Sequence, residues 1–316
     1  MEVQGGVANP ALFSFEKDCG LMYRGRSLSL SSGGAAAATA RETSAPQQGS
    51  MDVEFAELSD LGRVREGNED YLGHAIPDGP QRVRSHGWLF VLADGVGGQE
   101  MGEVASRTAV ETVLEGFQEA GAGEPHGALL GRLAQRANKN VIDAGHASPS
   151  GSGTGMASTL VACALRYDRV AVAHVGDSRC YLIRQGQAAL LTRDHTVANE
   201  HVKLGLISAD ELADAPTRHV LSRCLGAELI VAAEVNEHQV FAEDVLLLCS
   251  DGLHNSVTAS EMAGVTSHGG DLTVAAQRLV DIANQRDGSD NISLQLLRVR
   301  SVERVGMYRG RPYLLR

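Results

Sequence analysis

Trp88-Leu89-Phe90-Val91-Leu92-Ala93-Asp94-Gly95-Val96-Gly97-Gly98 sets a short apolar run against an aspartate and a glycine-rich turn. The run reads as a buried strand, and the acid stands where that strand ends. Val245-Leu246-Leu247-Leu248-Cys249 is built the same way, closing on Ser250-Asp251-Gly252. Asp290, in Gly288-Ser289-Asp290-Asn291, stands just before a further strand over Asn291 to Val299. A lone Asp-Gly is more often an ordinary turn. Three acids at strand ends are a different matter, because such positions can converge on one spot. Crowded carboxylates repel unless a cation neutralises them, and hard oxygen ligands suit Mg²⁺ or Mn²⁺.

Working outward, Thr159–Arg166, Val170–Val175, Cys180–Arg184 and Ala188–Leu191 are short segments parted by Tyr167-Asp168-Arg169 and Gln185-Gly186-Gln187. The pattern predicts an antiparallel meander. Helical spacing covers Glu103–Ala120, Leu129–Ala144 and Leu272–Gln285, and capping-box spacing opens short helices at Thr258/Glu261 and Ser208/Glu211. Clustered strands with long helices give an α+β class, sheets packed between helices. Residues 1–50 differ: Ser, Gly and Ala clusters with little periodicity read as a disordered, low-complexity segment. A targeting peptide, or sequence upstream of a start at Met51, are the other readings.

The formal charge of −11 argues against nucleic acid, which needs a basic face. Cys19, Cys163, Cys180, Cys224 and Cys249 form no C-x-x-C pair and read as buried thiols in a reducing compartment. No run is long enough for a membrane helix and no secretory signal opens the chain, so a cytoplasmic location is expected.

Ser59-Asp60-Leu61-Gly62-Arg63-Val64-Arg65-Glu66-Gly67-Asn68-Glu69-Asp70 resembles the opening motif of the metal-dependent protein phosphatases, the protein phosphatase 2C family. Leu92 to Gly98 is similar to the family's Asp-Gly-x-Gly-Gly motif, and Gly176-Asp177-Ser178-Arg179 with Tyr181 to the next. Asp194-His195-Thr196 and Arg218 to Gly226 are similar to its flap region; Ser250 to Leu253 and Ser289 to Ile292 complete the series, in family order.

The resemblance implies a four-layer α/β/β/α sandwich of two antiparallel sheets with a dinuclear metal cleft. It implies hydrolysis of phosphoserine and phosphothreonine in proteins by a metal-activated water, opposing a serine/threonine kinase in a bacterial cytoplasm. Asp94 would bridge two Mn²⁺ or Mg²⁺ ions, with the Gly95 carbonyl on one of them and Asp251 and Asp290 completing the first site. Glu69 and Asp70 would support the cluster directly or through water, Asp177 would hold a third, weaker ion, and Arg65 would bind the substrate phosphate. Some members carry a histidine as general acid where this chain has Val96, which leaves the proton donor unassigned, with a metal-bound water in its place. His195 reads as an anchor for the flap, and the other histidines as structural or surface residues. The flap itself, Ala198 to Ala215, would influence substrate choice. The catalytic domain is expected at 51–300 with a tail over 301–316, in a monomer. The rival readings are a regulatory binding module without turnover and a phosphatase of another phosphomonoester.

Overall fold

The computed structural model describes residues 39–40, 50–96, 100–147, 155–267, 269–308 and 311–314. The expected low-complexity segment therefore lies outside the described residues, Thr39, Ala40 and Ser50 apart, as do Gly97 and Gly98. In chain order the strands are β1 (Thr39–Ala40), β2 (Asp52–Asp60), β3 (Asp70–Ala75), β4 (Trp88–Val96), β5 (Ala157–Ser158), β6 (Leu160–Arg166) and β7 (Arg169–Val175). Then come β8 (Arg179–Arg184), β9 (Gln187–Leu190), β10 (Glu234–Gln239), β11 (Val245–Cys249), β12 (Ile292–Ser301), β13 (Val305–Tyr308) and β14 (Arg311–Leu314). The helices are α1 (Pro80–Ser85), α2 (Glu100–Gln118), α3 (His126–Ala147), α4 (Val197–Lys203), α5 (Asp251–His254), α6 (Ala259–Thr266) and α7 (Leu272–Arg286).

Two antiparallel sheets carry the fold. One runs β1-β2-β12-β11-β8-β9, and the other β10-β7-β6-β4-β3 with β5 on the end of β4. Strand alternation sorts the apolar runs into three layers. In β4, Trp88, Phe90 and Leu92 face the seam between the sheets, where Leu246 and Leu248 of β11 meet them. Leu89, Val91 and Ala93 face the other way, onto α2 and α3. Val245, Leu247 and Cys249 face α6 and α7 on the far side of the molecule. Both strands are thus buried on two faces, which is why they read as unbroken apolar runs. The outcome is the expected α/β/β/α sandwich.

The expected meander is divided in two. β6 and β7 form a hairpin in one sheet, and β8 and β9 a hairpin in the other. The chain changes sheets through Gly176-Asp177-Ser178. Gly176 sits at φ +100°, and a Cβ there would press on Thr159, so only glycine lets the strand turn out of its sheet. Propensity cannot distinguish this crossing from an in-sheet turn.

The Thr258/Glu261 capping box is present and opens α6. At Ser208, the Glu211 carboxylate accepts from the serine backbone N–H and hydroxyl, yet only a 3-10 turn over Leu212–Asp214 follows. Among the described residues no helix is long and apolar enough to cross a membrane. Cys163 and Cys180 meet across the seam with sulfurs 3.4 Å apart and are free thiols.

Candidate metal centre

The strand-end acids come from both sheets. Asp94, near the end of β4, lies directly opposite Asp70, the first residue of β3. Asp251 opens α5 two residues after β11 ends, and Asp290 lies two residues before β12. Cys249 pairs with Arg179, so Asp177 and Asp251 extend two residues past the same end of their ladder. All five carboxylates therefore stand at one end of the sandwich.

Polar side chains, several of them next to the acids in the chain, hold them there. Asn291 Oδ1 accepts from the Glu69 N–H at 2.9 Å, while its Nδ2 donates to the Leu61 and Gly67 carbonyls at 2.9 and 3.1 Å. One side chain thus pins the loop that carries Arg65 against the strand that follows Asp290. Ser250 Oγ donates to Asp70 Oδ2 at 2.8 Å. Thr159 Oγ1 accepts from the Asp94 N–H at 2.9 Å and meets Ser178 Oγ at 2.7 Å, joining the two acid-bearing turns. His254 Nε2 donates to the Asp177 carbonyl at 3.0 Å. Asn291 lay in a quoted motif, but nothing in the linear sequence shows what it bonds.

Gly95 is required for a reason the sequence does not show. A Cβ there would run into the backbone of Gly102 on α2, so the glycine serves helix packing as well as any ligand. Its N–H donates to the Glu69 carbonyl at 3.0 Å.

The electrostatics are those of negative charge crowded out of water. Burial first, then the neighbouring acids Asp70, Asp251, Asp177 and Asp290, push Asp94 well above the carboxylate range. Asp70 rises to about 7, burial and the charges of Asp251 and Asp290 outweighing hydrogen bonds from Ser293 and Ser250. Asp177 is pushed up to about 7 by burial and then by Asp251, and Asp251 to about 6 by burial and then by Asp290. Arg65 is the cation at hand: Nη2 donates to Asp290 Oδ2 at 2.8 Å and Nη1 lies 3.6 Å from Glu69 Oε2. Buried oxygens of Glu69 (Oε1) and Asp70 (Oδ1) have no hydrogen-bond partner. An all-oxygen set, crowded, buried and short of protein cations, is what a hard divalent ion neutralises. The residues present fit that group.

A family model for protein phosphatase 2C matches residues 67–289. The chain belongs to the protein phosphatase 2C family. It is 34% identical over 264 residues to the serine/threonine phosphatase stp of Listeria innocua, covering 83% of this chain and 99% of that relative. The serine/threonine phosphatase of S. agalactiae superposes with a TM-score of 0.71 at 30% identity, over 79% of this chain and all of that one. The catalytic domain of the serine/threonine protein phosphatase PstP, solved with two manganese ions, matches with a TM-score of 0.66 at 28% identity, over 79% of this chain and all of that domain.

Two further features of this protein phosphatase 2C member bear on the site. His195 ties the flap to the Asp177 turn: its N–H donates to the Gly176 carbonyl, its carbonyl accepts from Ser222, and its Nδ1 accepts from the Gly176 N–H at 3.1 Å. This is the anchoring expected of it. His174, His195 and Glu234 also bring ligand atoms within 4.8 Å of one another. They do not form a metal site. His195 Nδ1 faces the Gly176 N–H at 3.1 Å and its Nε2 faces Arg223 Nη1 at 3.1 Å, so both ring nitrogens already meet hydrogen-bond donors. The two rings stack at 12°, so their lone pairs cannot both be aimed at one ion. The flap holds α4, the 3-10 turn and a groove of about 500 Å³ lined by His201, Ile207, Asp210, Glu211 and Asp214 among others.

Proposed function

We propose that this protein removes phosphate from phosphoserine and phosphothreonine in other proteins, with two divalent cations, Mn²⁺ or Mg²⁺, held in the acid-lined cleft. The observation that carries the reading is the convergence of Asp94, Asp251 and Asp290 on one end of this fold, with Arg65 as the cation beside them. The names of the Listeria and S. agalactiae relatives, and the manganese in PstP, support it. Asp94, the Gly95 carbonyl, Asp251 and Asp290 would hold the ion pair. Glu69 and Asp70 act from behind or through water. Asp177 would hold a third, weaker ion.

When bound, the metal pair supplies Lewis acidity, polarising phosphoryl oxygens and making water a stronger nucleophile near neutral pH. The remaining work falls to the chain itself. Arg65, 40% exposed at the rim, has a planar fork that matches two phosphate oxygens and can leave Asp290 for them. There it stabilises the charge that spreads over those oxygens as the ester bond breaks. Asn291 keeps the Arg65 loop in reach of the acids. Val96 brings no proton to the leaving oxygen, so the turn that carries Asp94 supplies ligands and no acid. The catalytic domain occupies 51–300, with a low-complexity extension before it and a tail over 301–316. The protein works in a bacterial cytoplasm against a serine/threonine kinase or on that kinase's targets, and the flap grades substrates.

Purified protein should release phosphate from a phosphothreonine peptide in Mn²⁺ or Mg²⁺, and EDTA and Asp94→Ala should each abolish release. Folded protein that releases nothing with either metal would overturn the proposal in favour of a binding module.

A further inference from the structure

The Asp177 turn is held at three points, each from a different part of the molecule. Gly176 exchanges two hydrogen bonds with His195, through the Gly176 N–H to Nδ1 and the His195 N–H to the Gly176 carbonyl. Ser178 Oγ meets Thr159 Oγ1 at 2.7 Å. Asp177 itself is gripped by His254, whose Nε2 donates to its carbonyl at 3.0 Å. The first two holds fasten the turn to the flap base and to the start of β6. Among the described residues, the His254 bond alone fastens it to α5, the helix that Asp251 opens.

His254 lies three residues after Asp251 on that helix, so the two side chains share a face. Its other nitrogen, Nδ1, is buried without a partner, which makes the ring a strut with a single bonded end. The backbone ladder sets the separation of Asp177 and Asp251 only as far as the Cys249–Arg179 pair. Beyond that pair both chains leave the sheet, one into a left-handed turn and the other into a helix. His254 is the contact that joins them again.

We propose that His254 is a positioning residue that sets Asp177 against Asp251 and so tunes the weaker cation site that the two carboxylates border. The inference rests on the reading of Asp177 given above. A residue acting behind a ligand in this way orients it without touching the ion, and losing it lowers metal affinity about tenfold or more.

Calorimetric titration of Mn²⁺ into metal-stripped full-length protein tests this, with wild type beside Asp177→Ala, His254→Leu and His254→Gln. Asp177→Ala should lose the weakest binding step. His254→Leu should weaken that step about tenfold and leave the tighter steps unchanged. His254→Gln, whose amide can donate to the same carbonyl, should restore it. Asp177→Ala with wild-type binding would remove the reading of Asp177, and the inference with it. If Asp177→Ala loses the step while His254→Leu keeps it at wild-type affinity, the inference alone fails. Should His254→Leu not fold, His254→Gln decides: a folded glutamine variant that lacks the weak step overturns the proposal, and one that keeps it supports it. Nitrogen-15 NMR of wild type at neutral pH should also find His254 in the Nε2–H tautomer, and the Nδ1–H tautomer would overturn the proposed bond.

Discussion

β8 and the cleft treat buried carboxylates in opposite ways. At the two ends of β8, Arg179 grips Asp194 through two bonds of 2.9 and 2.7 Å, and Arg184 grips Asp244 through two of 2.8 and 2.7 Å. These acids are as enclosed as those of the cleft, Asp244 being 2% exposed, and each has its own guanidinium. In the cleft Arg65 pairs with Asp290 and Glu69, while burial first and then the charges of the neighbouring acids hold Asp94 well above its ordinary range. The fold therefore neutralises an acid from within where the acid serves structure, and leaves negative charge uncompensated where a cation from solution is to be bound.

The strongest attempt to break that contrast is Asp94→Asn. Turnover should fall by about a thousandfold or more, since the carboxylate proposed to hold both ions is gone. The metal-free protein should meanwhile melt several degrees higher, about 2–4 °C for each kcal/mol of repulsion removed. A lower melting point in EDTA would mean that the cluster is not under electrostatic stress.

Acidity sharpens the same point. A carboxyl whose folded pKa stands above its unfolded value near 3.8 binds its proton more tightly in the folded state. The stability this contributes is complete below about pH 4 and is lost as pH rises through about 6 for Asp251 and about 7 for Asp70 and Asp177. Each of these groups taken alone should thus cost metal-free protein on the order of 3 kcal/mol between pH 4 and 7.5. Saturating Mn²⁺ should flatten or reverse the trend, because the ion competes with those protons. Denaturation curves in EDTA and in Mn²⁺ across that range measure both arms.

On the compensated side, Asp244→Asn should cost ~2 kcal/mol, less than a fully buried pair because Arg184 is partly solvated. The rate should not change, as Asp244 lies outside the cleft. The smallest effect is expected where an ion pair is exposed on both sides. Lys139→Ala, which removes the contact with Asp143 on α3, should move stability by less than ~0.5 kcal/mol.

The strands of the seam were legible because burial on two faces leaves an unbroken apolar run: Val245 to Cys249 was read from its residues alone and is β11. β10, Glu234–Gln239, is mostly polar and half-exposed, and no periodicity marked it. The Thr258 box announced its helix because both halves of the signal are local. The same spacing at Ser208 formed its bonds without a helix following. Of the site, the strand-end acids could be found because each carries its glycine or asparagine beside it. Ser250, Thr159, His254 and the carbonyls that Asn291 holds could not, because their partners lie 65 to 230 residues away in the chain or answer to no motif.

The sequence by itself determined the class of fold, the family and the acids, since apolar runs, acid-glycine turns and the motifs of the resemblance are each built from neighbouring residues. Tertiary structure alone decided that the chain changes sheets at Gly176, that Asp70 faces Asp94 across a ladder, and that Arg65 is the cleft's own cation. Those facts depend on which strand ends meet, and charges repel or pair through space whatever their distance along the chain.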